Sequence, residues 1–208
     1  TGSERMRQRP ISILVDALRD LGCDIEYIEK KGFPPLKIMG KNILSNSVTL
    51  PANVSSQYVS SLMMLGVSLK NGLKIILSSN ITSLPYLLMT KKIIERIGGI
   101  VKIQDREIFI EPFKEKVISE QFVESDWSSA SYFFSLAALS SSVNLTLSKF
   151  FNDSLQGDSK LVDIYKMFGI ETIFEDDQII LKKNKISFPK NIHLDLRDNP
   201  DLAQTIII

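Results

Sequence analysis

The side chains best suited to chemistry recur at fixed intervals. Ser55-Ser56 opens an apolar run from Tyr58 to Leu69, Ser128-Ser129 opens another from Ala130 to Leu139, and Asp201 opens a third from Leu202 to Ile208. Ser55 and Ser128 are 73 residues apart, and Asp201 follows Ser128 by the same interval. A second series, Arg9, Ser83 and Gln156, heads amphipathic segments at steps of 74 and 73 residues. A helix start exposes unpaired N–H groups and about half a positive charge, which together attract phosphate or carboxylate. Several such starts converging, with hydroxyl, amide and guanidinium groups in their first turns, would suit a phosphorylated or carboxylated ligand. The same serines also serve as plain N-caps, and spacing leaves both readings open.

The positioning elements form a repeat of about 73 residues. Three times an amphipathic helix is followed by glycine and a β-hairpin. The first is Ile11–Leu21, Gly22, then Cys23–Ile28 with Leu36–Met39. The second is Tyr86–Ile97, Gly98-Gly99, then Ile100–Ile103 with Glu107–Ile110. The third is Leu161–Phe168, Gly169, then Ile170–Phe174 with Gln178–Lys182 across the turn Asp176-Asp177. Apolar residues at 3.6-residue spacing (Ile11, Leu14, Val15, Leu18) predict helices with one buried face, and each glycine fits a C-cap that needs positive φ. The runs after the serine pairs are apolar nearly all round, which predicts buried helices. The unit therefore reads strand, buried helix, strand, surface helix, strand, strand. The first copy lacks its opening strand and buried helix, and the last stops inside its buried helix. With no initiator Met and three terminal isoleucines, the chain reads as a fragment of a longer protein; a natural tail docked in its own core or on a partner is the alternative.

Composition narrows the function. Among 208 residues, 25 basic and 24 acidic side chains nearly cancel, which argues against a nucleic-acid surface. No apolar run approaches the roughly 20 residues that span a bilayer. A single cysteine, Cys23, forms no internal disulfide, and a single histidine excludes sites built on several. No His/Cys/carboxylate cluster has ligand spacing, so neither metal nor organic cofactor is implied. A cytoplasmic α/β protein of one or two domains is expected.

Seven ordered blocks carry a resemblance. They are Thr1-Gly2 with Arg5 to Pro10 and Leu14 to Arg19, Asn53 to Tyr58, Ser83 to Tyr86, Asp126 to Phe133, Gln156-Gly157-Asp158, and Asn199 to Ala203. In content, order and spacing the chain resembles the EPSP synthases, the enolpyruvyl transferases of the shikimate pathway, over essentially all 208 residues. The resemblance implies an inside-out α/β barrel architecture of βαβαββ repeats, about half of it present. Residues 1–123 would be about two units of one domain, and 124–208 one unit of a second plus the start of the next. The crossover is expected near Val123 to Asp126.

It also implies a reaction: the enolpyruvyl group of phosphoenolpyruvate moves to the 5-hydroxyl of shikimate 3-phosphate. By resemblance, Ser55, Ser56 and Ser83 bind shikimate 3-phosphate through its phosphate, with Tyr86 near the same ligand. Gln57 lies between the two substrates, and Arg9 binds phosphoenolpyruvate. Asp201 contacts the 5-hydroxyl and is placed to act as base. Read locally, Tyr86 is equally a helix anchor, Arg9 a solvated charge and Asp201 an N-cap.

The family's early lysine, serine and arginine, and its later Lys-Glu…Arg, His-Arg and lysine groups, have no counterpart in these 208 residues. The chain alone is therefore expected to be inactive. The full-length family member is expected to be a monomer, and the fragment to self-associate through uncovered apolar faces.

Rival readings are a UDP-N-acetylglucosamine enolpyruvyl transferase, which uses a loop cysteine, an RNA 3′-phosphate cyclase, and a non-catalytic phosphate-binding scaffold. Cys23 reads as a buried structural thiol. His193 falls in an apparent strand, Ile192–Leu196, and is a poor match to a catalytic histidine. Trp127 and the pair Met63-Met64 read as packing, and Lys182-Lys183-Asn184-Lys185 as a solvated hairpin end.

Overall fold

A computed structural model describes residues 2–51, 55–78, 84–115, 120, 122–184 and 190–208. The chain divides into two compact units. The first comprises Thr1–Thr82 and Thr90–Ser119, the second Ser83–Met89 and Glu120–Ile208.

In the first unit a single turn, α1 (Glu4–Arg7), precedes α2 (Ser12–Asp20) and the hairpin β1 (Asp24–Tyr27) and β2 (Leu36–Met39). There follow β3 (Ser47–Leu50), α3 (Ser56–Gly66), β4 (Leu73–Leu77), α4 (Leu84–Arg96), whose residues up to Met89 belong to the second unit, β5 (Val101–Gln104) and β6 (Glu107–Ile110). The sheet order is β3-β4-β6-β5, parallel between β3 and β4 and antiparallel elsewhere. A parallel pair needs a crossover, and α3 supplies it. In β4 the residues Leu73, Ile75 and Leu77 are buried in alternation, as a strand with one covered face requires. Gly66 lets α3 settle on this sheet: a Cβ there would lie 2.9 Å from the Cβ of Leu73 and 3.1 Å from that of Ile110.

The second unit repeats the pattern with α5 (Trp127–Leu139), β7 (Asn144–Ser148), a 3₁₀ turn Gly157–Lys160, α6 (Leu161–Lys166), β8 (Ile170–Glu175) and β9 (Gln178–Lys183). Its sheet, β7-β9-β8, has the same order as β4-β6-β5. Phe134 of α5 and Tyr165 of α6 meet edge to face at 5.5 Å, over Leu161, Ile170, Ile179 and Leu181. A further 3₁₀ turn, Pro200–Leu202, leads into α7 (Ala203–Ile206). Ser135 Oγ ties α7 to α5 by donating to Thr205 O at 2.8 Å.

The repeat is thus present as three hairpins, each after a helix closed by glycine in the left-handed region: Gly22 at φ 101°, Gly98 at 90° and Gly169 at 72°. Three expectations change. The helices α3 and α5 are buried on one side only, because Met64, Tyr132, Phe133, Leu136 and Leu139 are exposed. Met63 is core, but its neighbour Met64 is not. Residues 192–196 form no strand. In the second copy the equivalent strand, β3, pairs with β4 beyond the buried helix, and among the described residues no strand stands beside 192–196 in that way. The lysine run also has a partner, since Lys183 Nζ donates to Ala138 O at the end of α5, where a cation suits the helix dipole.

Candidate functional site

The first unit holds one group of candidates, at the start of α3. Ser55 is the N-cap, and its Oγ accepts from the Gln57 N–H at 3.3 Å. Ser56 follows half-buried and Gln57 is exposed. The first turn carries no acidic residue, and among the described residues no carboxylate bonds to it. This helix start therefore keeps its positive character. Tyr58 fastens a second segment to it, with its hydroxyl donating to Pro10 O at 2.6 Å. Ile11 N donates to Gly32 O at 2.8 Å, so the backbone following Arg9 is held on both sides. Arg9 lines a hollow of about 580 Å³ with Ser3, Arg5, Met6 and Gln8. Arg7 is engaged elsewhere, with Glu29 at 3.4 Å, whereas Arg9 has no ion pair among the described residues. Ser83 lies outside the described residues.

The second unit holds the other group. Tyr86, in the first turn of α4, is half-buried, with the carboxylates of Asp158, Asp201 and Asp126 close enough to act on it electrostatically. Burial raises its pKa most, and the negative fields of Asp158, Asp201 and Asp126 raise it further. Asp201 sits inside the 3₁₀ turn Pro200–Leu202 and is not an N-cap, the cap position being Asn199. The turn is anchored by fully buried Leu202, while Asp201 is exposed. Among the described residues Asp201 has no hydrogen-bond or ion-pair partner, so a substrate hydroxyl can reach its carboxylate.

The start of α5 differs from that of α3 despite the shared serine pair. Asp126 is its N-cap, with Oδ1 accepting from Ser128 N at 3.0 Å and Oδ2 from Ser129 Oγ at 2.5 Å. Gln156 Oε1 accepts from Trp127 N at 2.9 Å, and its Nε2 donates to Ser125 O at 2.8 Å. Ser128 Oγ donates to Asp158, which is 1 % exposed. With two carboxylates on its first turn, α5 offers no anion site. The expectation of equivalent dipoles holds for α3 and is corrected for α5.

Sequence reasoning thus missed Asp158 and Asp126 as parts of this constellation. Asp126 was legible as an N-cap beside Ser128; Asp158 arrives from 30 residues further on, through tertiary contact alone. Cys23 is half-buried and burial raises its thiol pKa, so it stays protonated, unlike an activated nucleophile. Trp127 is fully buried edge-on to Phe150 at 4.8 Å.

A family model described as EPSP synthase (3-phosphoshikimate 1-carboxyvinyltransferase) matches residues 1–208. The 3-phosphoshikimate 1-carboxyvinyltransferase of Bacteroides fragilis strain YCH46 is 43% identical over 209 residues, which cover 100% of this chain and 50% of the relative. That of Colwellia psychrerythraea is 34% identical, covering 99% and 48%. A solved EPSP synthase from Acinetobacter baumannii superposes with a TM-score of 0.70 at 22% identity, over 97% of this chain and 46% of that one. The chain spans about half the length of the curated relatives it matches. Its fold is accordingly the α/β architecture of βαβαββ units, with about half of it in this chain.

Proposed function

This chain belongs to the EPSP synthase family, and on that premise we propose that it supplies half of a cytoplasmic 3-phosphoshikimate 1-carboxyvinyltransferase. The reaction carries the enolpyruvyl group from phosphoenolpyruvate to the 5-hydroxyl of shikimate 3-phosphate, in the synthesis of aromatic amino acids. Ser55, Ser56 and Ser83 receive the 3-phosphate, where hydroxyls and helix N–H groups act together. Arg9 offers a guanidinium fork to the anionic groups of phosphoenolpyruvate. Gln57, able to donate and accept, serves both substrates. Asp201 takes the proton of the 5-hydroxyl as its oxygen bonds to the central carbon of phosphoenolpyruvate, whose methylene carbon gains a proton. The resulting tetrahedral ketal phosphate then loses a proton from its methyl carbon as the C–O bond to phosphate breaks, which leaves the enol ether and phosphate. Further cationic groups must steady the charge that builds on both substrates, and Arg9 is only one.

The observation that supports this reading best is the acid-free start of α3, with the Arg9-Pro10 backbone fastened to it by Tyr58. No helix of the described residues is long and apolar enough to cross a membrane. The exposed apolar residues of α3 and α5 support self-association of the 208-residue chain.

Calorimetric titration tests the reading. Shikimate 3-phosphate gives a saturable heat and UDP-N-acetylglucosamine none; the reverse pattern overturns the assignment. Steady-state turnover by the purified 208 residues alone would refute the expectation that this half is inactive.

A further inference from the structure

We propose that the second unit holds a ligand site of its own: a hollow beside α6 that takes a small, uncharged, apolar molecule bearing a carbonyl oxygen, with the Trp127 indole N–H and the Thr172 hydroxyl as donors. The site goes beyond the reading given under Proposed function, since none of the residues assigned there to either substrate lines it.

The hollow has a volume of about 650 Å³, within the range of small-molecule sites, and Phe151, Leu155, Val162 and Phe174 supply its apolar walls. The elements place these side chains by their periods. Leu161, Ile164 and Tyr165 turn one face of α6 into the core, which leaves Val162 and Lys166, four residues apart, on another face. Thr172 and Phe174, two residues apart on β8, share a face of that strand. One side of the hollow is tightly built. Gly157 and Pro85, the latter from the part of α4 in this unit, both line it. A Cβ on Gly157 would stand 2.9 Å from Pro85 Cβ, 3.2 Å from Asn199 Nδ2 and 3.4 Å from Asp198 O.

Two of the lining residues carry a buried polar atom with no hydrogen-bond partner among the described residues, Trp127 Nε1 and Thr172 Oγ1. Buried polar atoms are nearly always paired. The indole cannot turn away to find a partner. Its ring is 0 % exposed, edge-on to Phe150 at 4.8 Å and tilted against Phe174 at 6.3 Å. An indole N–H only donates and a hydroxyl can donate, so the group that suits both is an acceptor oxygen.

Charge decides which kind of oxygen. Lys160, Asp163 and Lys166 are the charged lining residues, and Asp163 holds both lysines, at 2.8 and 3.1 Å. Both lysine side chains are more than half exposed, where water screens them. Gln156 and Ser154 are also engaged, Gln156 with Trp127 N and Ser125 O, Ser154 with Glu124 at 2.8 Å. A carboxylate entering here would give up water for no unpaired cation, whereas a neutral carbonyl gives up far less. The rest of the ligand meets aromatic and aliphatic carbon, which calls for an apolar body.

Acetophenone is the probe, with ethylbenzene as its counterpart lacking the oxygen and benzoate as its charged one. Trp127 is the only tryptophan, so the ¹⁵N-labelled 208-residue chain shows a single indole N–H signal by NMR. Acetophenone should move that signal saturably. A signal that stays in place, as it would if water alone fills the hollow, overturns the proposal. Thr172→Val keeps shape and removes the hydroxyl. It should lower the affinity for acetophenone about fivefold, the loss of one hydrogen bond, and leave that for ethylbenzene undiminished. Trp127→Phe should do the same; if it fails to fold, Thr172→Val decides alone. A merely structural role would weaken both compounds alike, and that result, or equal acetophenone affinity in Thr172→Val and wild type, overturns the proposal. Benzoate binding more tightly than acetophenone overturns the assignment to an uncharged ligand.

Discussion

Replacing Gly157 with alanine adds one methyl group where three segments of the second unit meet. Ordinary carbon–carbon contacts lie at about 3.5–4.0 Å, so the new Cβ falls about 0.6 Å short of a tolerable distance from Pro85 Cβ, 2.9 Å away. The amide of Asn199 can swing aside. Pro85 Cβ cannot, because its ring is fixed to the backbone at the start of α4. Overpacking of this kind costs about 1–3 kcal/mol. Against it stands the reduced freedom of the unfolded chain, about 0.4–1 kcal/mol in favour of alanine, since Gly157 is not in the left-handed region. The net expectation is a loss of about 1–2 kcal/mol. Trp127, the only tryptophan, lies buried in this unit, so its fluorescence during urea unfolding reports the unit selectively. With a slope of about 1–2 kcal/mol per molar urea, the midpoint should drop by about 1 M. Gly40→Ala, where nothing lies within 4 Å, serves as a control and should cost nothing in a thermal melt. A Gly157→Ala midpoint equal to or above that of the wild type would refute the close approach of Gly157 to the start of α4.

Ser55→Ala removes the acceptor for the Gln57 N–H and should cost about 1 kcal/mol in thermal unfolding; the affinity for inorganic phosphate should fall with it. Phe134→Ala leaves a cavity opposite Tyr165 in the core of the second unit, for a loss of about 3–5 kcal/mol read by urea unfolding. Tyr86 holds its proton more tightly folded than unfolded. Its contribution is therefore complete below about pH 10 and is lost as pH rises through the raised folded value. Urea midpoints measured from about pH 8 upward should fall less steeply in Tyr86→Phe than in wild type, and parallel curves would contradict the raised pKa.

The elements were legible wherever a local pattern determines them. The period of α2, the glycine at each helix end and the alternation of β4 are short-range facts, and the structure reproduces them within a residue or two. Burial of α5 was overestimated because an apolar sequence states what a helix could bury, not what lies beside it. Strand 192–196 failed for the same reason, since a strand exists only through its neighbour.

For the site, sequence by itself determined the repeat, the family and the residues at the helix starts: register and residue type are properties of the chain. By spacing alone it made Ser55-Ser56 and Ser128-Ser129 equivalent, whereas in the fold Ser55 caps α3 and Ser128 lies two residues past Asp126, the cap of α5. Tertiary structure decided between them by bringing Asp158 and Gln156 onto α5 and leaving α3 without an acid. The physical reason is range. A helix dipole is set within its own first turn, whereas the charge that cancels it can come from any residue the fold delivers.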